Sequence, residues 1–474
     1  MDDRRRVVLA GVMLSIFLAA MESTVVATAM PRVVASLGGL EIYSWVFSGY
    51  LLTSTVTMPV WGRLSDLFGR RRVFVGGLTT FLVGSALSGL VQDMVQLIVC
   101  RMLQGLGAGS LMTIGMTIVG ELFPLEQRAR MQGYISGVWG IASLCGPLIG
   151  GLLTDHVSWR WVFYINVPFG VVAMLLIAGG LRDLPRDGRR PVIDYAGLAV
   201  FTAGVSALLV GVLEAGRTAR WSGLDVLGPL AVALAALATF LVVERRAAEP
   251  LVPLRLFRTR MVLAAAVTGF LAGMAMFGAI SFVPLYLQSV GGLSATAAGV
   301  VLIPFVLGWV AMSIVSARLV LRVGYRSVVA AGMLCLAVAF LLLMRWSAAL
   351  TQAVAMRDAL LGGVGMGLTM VPMLIAVQSA VPRTDLGAAT SMIQFFRTLG
   401  GTIGLSLMGT VMAWRLSVGL SEADALHGVF VTGLLVCLAA VASTTLVPSG
   451  RARDLARADV RGEPTRVGGE SHAG

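Results

Sequence analysis

The 474-residue chain contains no lysine, 3 histidines and 4 cysteines, and only 13% of its residues are charged. An ordinary soluble domain carries about 25% charged residues, and no polar stretch here is long enough to separate soluble domains. Soluble enzyme classes are therefore excluded. Without lysine there is no Walker-type phosphate loop, so the chain does not power itself by ATP hydrolysis. His156, His427 and His472 are never paired within one helix, and intramembrane metalloprotease chemistry lacks its ligands. Cys100, Cys145, Cys335 and Cys437 each stand alone in an apolar run. That spacing indicates neither a disulfide framework nor a metal site. The period-two alternation of an outer-membrane barrel is absent as well.

What the chain has is apolar length. Hydrophobic residues make up 57% of it, and the mean hydropathy is +0.88. Runs of about 20 apolar residues, enough to cross a ~30 Å hydrocarbon layer as a helix, recur from residue 7 to residue 447. Fourteen such runs predict an all-α polytopic membrane protein. All 36 basic residues are arginine, and 27 of them fall in the tails and loops on one side when the N-terminus is taken as cytoplasmic. Six fall on the other side, and Arg101, Arg357 and Arg397 lie within spans. This asymmetry predicts a multi-pass protein of the cell membrane with both termini cytoplasmic. The net charge of +12 is scattered over short loops, so no nucleic-acid groove is expected. Glu22 interrupts the first apolar run, which argues against a cleaved signal peptide.

The chain also repeats itself. Arg63, Leu64, Gly69 and Arg71 recur as Arg318, Leu319, Gly324 and Arg326, each 255 residues on. Duplicated six-helix halves follow, 1–181 and 261–447. Between them lies a linker, 182–260, with two inserted apolar runs, 195–213 and 224–243. Residues 448–474 mix arginines with acids and contain no aromatic residue, the composition of a disordered tail.

Three motifs carry chemistry. The stretch from Gly62 to Arg72 sets Asp66 among arginines around the turn glycine Gly69. On the cytoplasmic rim, Asp66 can pair with Arg70 or Arg128 and tie the halves shut; the competing reading is that these arginines only set topology. Leu97 to Gly109 contains Arg101, Gln104, Gly105, Gly107 and Gly109, and the third motif is Gly146-Pro147-Leu148-Ile149-Gly150-Gly151. In that third motif Gly146 and Gly150 present a strip for close helix packing, and Pro147 is expected to kink its helix.

Together these motifs resemble, in order, the loop 2–3, helix 4 and helix 5 signatures of the major facilitator superfamily, and the insert makes the chain similar to its 14-helix drug/proton antiporters of the EmrB/QacA type. The resemblance implies the major facilitator fold, two six-helix halves plus two inserted helices. It implies a non-enzymatic, proton-coupled exporter of lipophilic, partly cationic compounds working by alternating access. The implied partners are small lipophilic substrates, protons and the lipid bilayer, with the proton gradient in place of any cofactor. An exporter of an endogenous lipid or secondary metabolite, or a membrane sensor that moves nothing, stays open as an alternative.

Glu22 is the acid that lies deepest in an apolar run, ~22 Å from its inner end at 1.5 Å per residue. Arg101 reaches similar depth from the outer end of its own run, so the two can meet. An ionisable residue at that depth is a functional-site hypothesis by default, and a purely structural pair is the alternative. Asp358, beside Arg357, is a second proton-coupling candidate that reads equally well as a local surface pair. Trp159, Arg160, Trp161 and Asn166 are expected to anchor helix 6 at the outer interface. Met274, Met276, Phe277, Phe282, Tyr286, Gln394, Phe395 and Phe396 are candidate substrate-cavity residues. Met and aromatic side chains repack around different shapes. Arg397 is either a substrate contact or part of the inner gate.

Overall fold

The computed structural model describes residues 3–39, 42, 45–183, 193–218, 220–247, 249–347 and 349–449. The expected disordered tail from 450 on, and 184–192 of the linker, lie outside the described residues. Within them the chain is helical, with no β-strand. The first half comprises α1 (Asp3–Leu37), α2 (Trp45–Phe68), α3 (Arg70–Ser88), α4 (Met94–Leu122), α5 (Leu125–His156), the single turn α6 (Trp161–Tyr164) and α7 (Asn166–Gly180). The insert is α8 (Tyr195–Thr218) and α9 (Leu224–Arg246). The second half comprises α10 (Arg260–Ser289), the short α11 (Ala295–Val300), α12 (Leu302–Val323), α13 (Tyr325–Leu343), α14 (Gln352–Ala380), α15 (Leu386–Ser417) and α16 (Glu422–Ser443).

Among the described residues, 10 helices are long and apolar enough to cross a membrane. That is fewer than the fourteen the apolar runs predict. The long helices α2, α3 and α15 miss the apolar standard because their composition is diluted by hydroxyls, glycines and charged ends, and α5 includes side chains outside the described residues. Their polar positions face protein: Thr53 and Thr57 on α2 donate to the Met102 and Leu106 carbonyls of α4 at 2.9 and 3.1 Å.

The repeat is visible in the backbone. Gly69 joins α2 to α3 at φ +95°, and Gly324, 255 residues later, joins α12 to α13 at φ +86°. Only glycine takes that region without strain, so the same one-residue joint is built twice. Helix contacts elsewhere use small residues, because lipid supplies no hydrophobic force between helices and close backbone approach must do so instead. At Gly62 an added Cβ would stand 2.5 Å from the Ser391 Cβ and 2.6 Å from the Gly387 carbonyl oxygen, so α2 and α15 nearly touch there. The insert lies over this seam. Phe201 and Val205 of α8 and Phe240 of α9 share an apolar cluster with Leu52 and Val56 of α2 and with Met392, Phe395 and Leu399 of α15. The far side of α9, with Leu224 and Leu234, is exposed.

Candidate functional site

A fully buried polar cluster lies inside the first half, where α1, α2, α4 and α7 converge. Glu22 on α1 is 0% exposed and Arg101 on α4 is 1% exposed. Arg101 Nη1 donates to Glu22 Oε1 and to Gln104 Oε1 at 2.6 Å, and its Nε donates to the Val46 carbonyl at 3.3 Å. The other Glu22 oxygen accepts from Asn166 Nδ2 at 2.5 Å. Asn166 also donates to Ser85 Oγ at 3.0 Å, and that hydroxyl donates to the Phe163 carbonyl at 2.8 Å. The Tyr50 ring lies 4.2 Å from the guanidinium carbon, a cation–π contact made stronger by desolvation. Among the described residues, Gln104 Nε2 and Asn166 Oδ1 are buried without a hydrogen-bond partner.

This packing follows from the motifs. Gly146 and Gly150 of α5 lie against α1 at Met21, Thr24 and Val25, one turn from Glu22, and hold that stretch of α1 in place. Gly151 faces open space, and of Pro147 only the helical backbone falls within the described residues. A buried ion pair is costly to split, about 3–5 kcal/mol when one partner is left unpaired. Protonating Glu22 relieves only the carboxylate's share of that penalty, so the cluster is chemically suited to take up a proton when Arg101 is drawn away to another partner or to water.

A second cluster closes the end of the bundle that is rich in arginine. Asp66, on the last turn of α2, pairs with Arg70 at 2.5 Å. Its two oxygens also accept the backbone N–H groups of Gly387 and Ala388 at 2.9 and 2.8 Å. Those amides are the N-terminus of α15, in the other half, where unpaired N–H groups and the helix dipole favour an anion. Arg70 further contacts Ser65 Oγ at 2.7 Å and Glu121 at 3.3 Å. Arg128 differs from expectation. It does not meet Asp66 but donates to the carbonyls of Phe123 at 2.9 Å and of Gln378, on α14, at 3.4 Å. The tie between halves is thus made by the start of α15, and Arg128 adds a separate bond across to α14.

Next to this tie, Arg63 pairs with Glu249, in the segment after α9, and stands 3.8 Å from Asp385. Asp385 also accepts from Arg255 at 3.0 Å to each oxygen. The insert is thereby connected by charge to the same rim.

Other expectations change. Asn166 is no interfacial anchor, being fully buried and bonded to Glu22, whereas Trp161 is half exposed as an anchor should be. Asp358 is 2% exposed, with Trp346 Nε1 at 2.9 Å and Arg357 at 2.8 Å. It lines a small cavity of about 30 Å³ with Met276, Phe282's neighbour Val283, Phe305 and Phe340. The structure does not bring it to Glu22. Phe395 packs at a tilt against Phe201 of α8 with ring centroids 5.6 Å apart, and Phe396 meets Phe257 edge-to-face at 6.0 Å, so both rings serve the insert side rather than a central cavity. Met274 and Phe277 meet Gly404 and Gly401 at the α10–α15 contact, and Tyr286 is buried among Trp346, His427 and Phe430. Sequence reasoning missed the roles of Asn166, Tyr50, Ser85 and Asp385. An amide opening an apolar helix and an acid preceding α15 were the available signals.

Two glycine-jointed helical halves, a charge pair sealed in one of them and a charged tie between them define a multi-pass membrane transporter, not an enzyme. The family comparison agrees: residues 12–405 match the Major Facilitator Superfamily, and the chain belongs to that family. It is 39% identical over 415 residues to the multidrug transporter protein MdtP of Bacillus subtilis, covering 87% of this chain and 76% of that one. It is 34% identical over 404 residues to multidrug resistance protein 3 of the same organism, covering 85% of this chain and 79% of that one. Among solved structures, that of the human organic anion transporter MFSD10 (TETRAN) superposes with a TM-score of 0.68 at 18% identity, covering 94% of this chain and all of the other. That last likeness concerns the fold.

Proposed function

We propose that the protein is a proton-coupled exporter of lipophilic compounds that works by alternating access in the cell membrane. In this reading fourteen helices span the bilayer as six plus two plus six, α6 with α7 and α11 with α12 each forming one span, and both termini face the cytoplasm. The observation that carries the coupling is Glu22, a fully buried carboxylate with one oxygen held by Arg101 and the other by Asn166. The Asp66 tie to the N-terminus of α15 supports an inner gate, and multidrug relatives support export of drugs. In the inner-closed arrangement Glu22 is sealed from ligands. A cationic substrate would therefore reach it only in a state that parts it from Arg101, where proton and cation compete. A potential of ~150 mV supplies about 3.5 kcal/mol for each charge moved, enough for roughly 300-fold accumulation.

The test is transport into proteoliposomes driven by an imposed pH gradient. Glu22→Gln is expected to bind a lipophilic dye yet lose the acceleration by the gradient. Coupling equal to wild type in that variant would refute the role of Glu22.

A further inference from the structure

Of the three arginines inside the apolar runs, two have counter-charges: Arg101 pairs with Glu22 and Arg357 with Asp358. For the third, Arg397, no ion pair or hydrogen bond of the guanidinium occurs among the described residues. It stands on α15 eleven residues beyond Leu386, ~16 Å along the axis at 1.5 Å per residue, which is about a third of the way along that 32-residue helix. There α15 meets α10 so closely that a Cβ on Gly273 would stand 2.9 Å from the Arg397 carbonyl carbon. The residue is partly buried, and part of its surface stays open.

Gln394 adds an independent sign. It precedes Arg397 by three residues and so lies on the same helix face; it is 3% exposed, and its Nε2 has no acceptor. A partly buried guanidinium and a buried carboxamide N–H, adjacent and unpaired among the described residues, are both costly to leave so, and both are satisfied by one kind of group, an oxyanion. Carboxylates and sulfonates match the planar fork of arginine. On the opposite half, Glu22 is balanced by Arg101, so of the three arginines in the apolar runs Arg397 alone lacks a counter-charge among the described residues.

We infer that the exporter takes lipophilic compounds bearing an anionic group, whose oxygens are received by Arg397 and Gln394. This inference rests on the export reading above and assigns it anionic substrates in place of the partly cationic ones that the motifs imply. The experiment uses the purified full chain in proteoliposomes with three matched probes: pyrenebutyrate, its methyl ester and pyrenebutylamine. Wild type should move pyrenebutyrate with the lowest KM. Arg397→Gln should raise that KM about tenfold or more, the loss of one charge-assisted bond, while the ester stays within about twofold. Arg397→Lys should recover part of the loss because the charge returns without the fork, and Gln394→Leu should raise the same KM more modestly. An unchanged KM for pyrenebutyrate in Arg397→Gln, or equal losses for all three probes, overturns the inference. Wild type that moves the ester and the amine but not the carboxylate overturns it too and leaves export standing. Wild type that moves none of the three overturns both.

Discussion

Replacing Asp66 by Asn tests whether the charged tie at the cytoplasmic rim sets the balance between inner-closed and inner-open states. Asp66 is 1% exposed at its side chain, so solvent does not screen its bonds. It accepts two N–H groups from α15 at 2.9 and 2.8 Å while paired with Arg70 at 2.5 Å. A hydrogen bond to a charged group contributes roughly 1.5–3 kcal/mol, and an anion at a helix N-terminus about 0.3–1 kcal/mol more. Asparagine keeps the shape, but it offers a single acceptor oxygen and no charge, so one amide of α15 loses its partner and the other bond weakens. A loss of about 3 kcal/mol is reasonable, and it falls on the inner-closed state alone because these bonds join α2 to α15 across the gate. That loss changes the equilibrium by about 150-fold, enough to bring an inner-closed preference of about 100 to one near parity. The assay is a distance distribution between spin labels at the exposed positions Arg72 and Arg326, in a background lacking the four native cysteines. Asp66→Asn should add a longer-distance population and slow turnover. An unchanged distribution with transport within about twofold of wild type would refute the gating argument.

Asn166→Ala leaves Glu22 with one bond fewer and should destabilise the protein by about 1–3 kcal/mol. That loss is read as a lower unfolding midpoint in detergent, whereas Trp161→Ala, on exposed surface, should leave the midpoint in place; equal behaviour of the two variants would count against the buried site. Glu249→Ala cuts the tie of the insert to Arg63, but Glu249 is 41% exposed, so the pair is worth about 1 kcal/mol or less. Export should fall by no more than about fivefold, and complete loss of transport would show that the insert does more than brace the rim.

Much of this protein is written in composition and spacing. The lack of lysine and paired histidine, the recurring apolar runs and the arginine asymmetry determine a helical membrane protein and exclude enzyme classes that need those residues. These are summed properties, insensitive to where any one side chain points. The 255-residue repeat is equally legible, because a positive-φ joint needs glycine and the same motif marks Gly69 and Gly324. Depth counting along the helices even brings Glu22 and Arg101 to one level, since the rise per residue is constant.

Only the tertiary structure decided which partners those residues take. Helical spacing gives depth and face but not the neighbour across the gap, so Asn166 reads as an interfacial residue until α7 is packed and its amide reaches Glu22. For the same reason Asp66 finds the backbone of α15 rather than Arg128, because backbone N–H groups carry no signature in the sequence. Phe395 and Phe396 turn to the insert because α8 covers the seam between α2 and α15, an arrangement set by contacts among helices far apart in the chain. Composition and rise along one axis come from each segment separately, whereas the choice of partner depends on all segments at once.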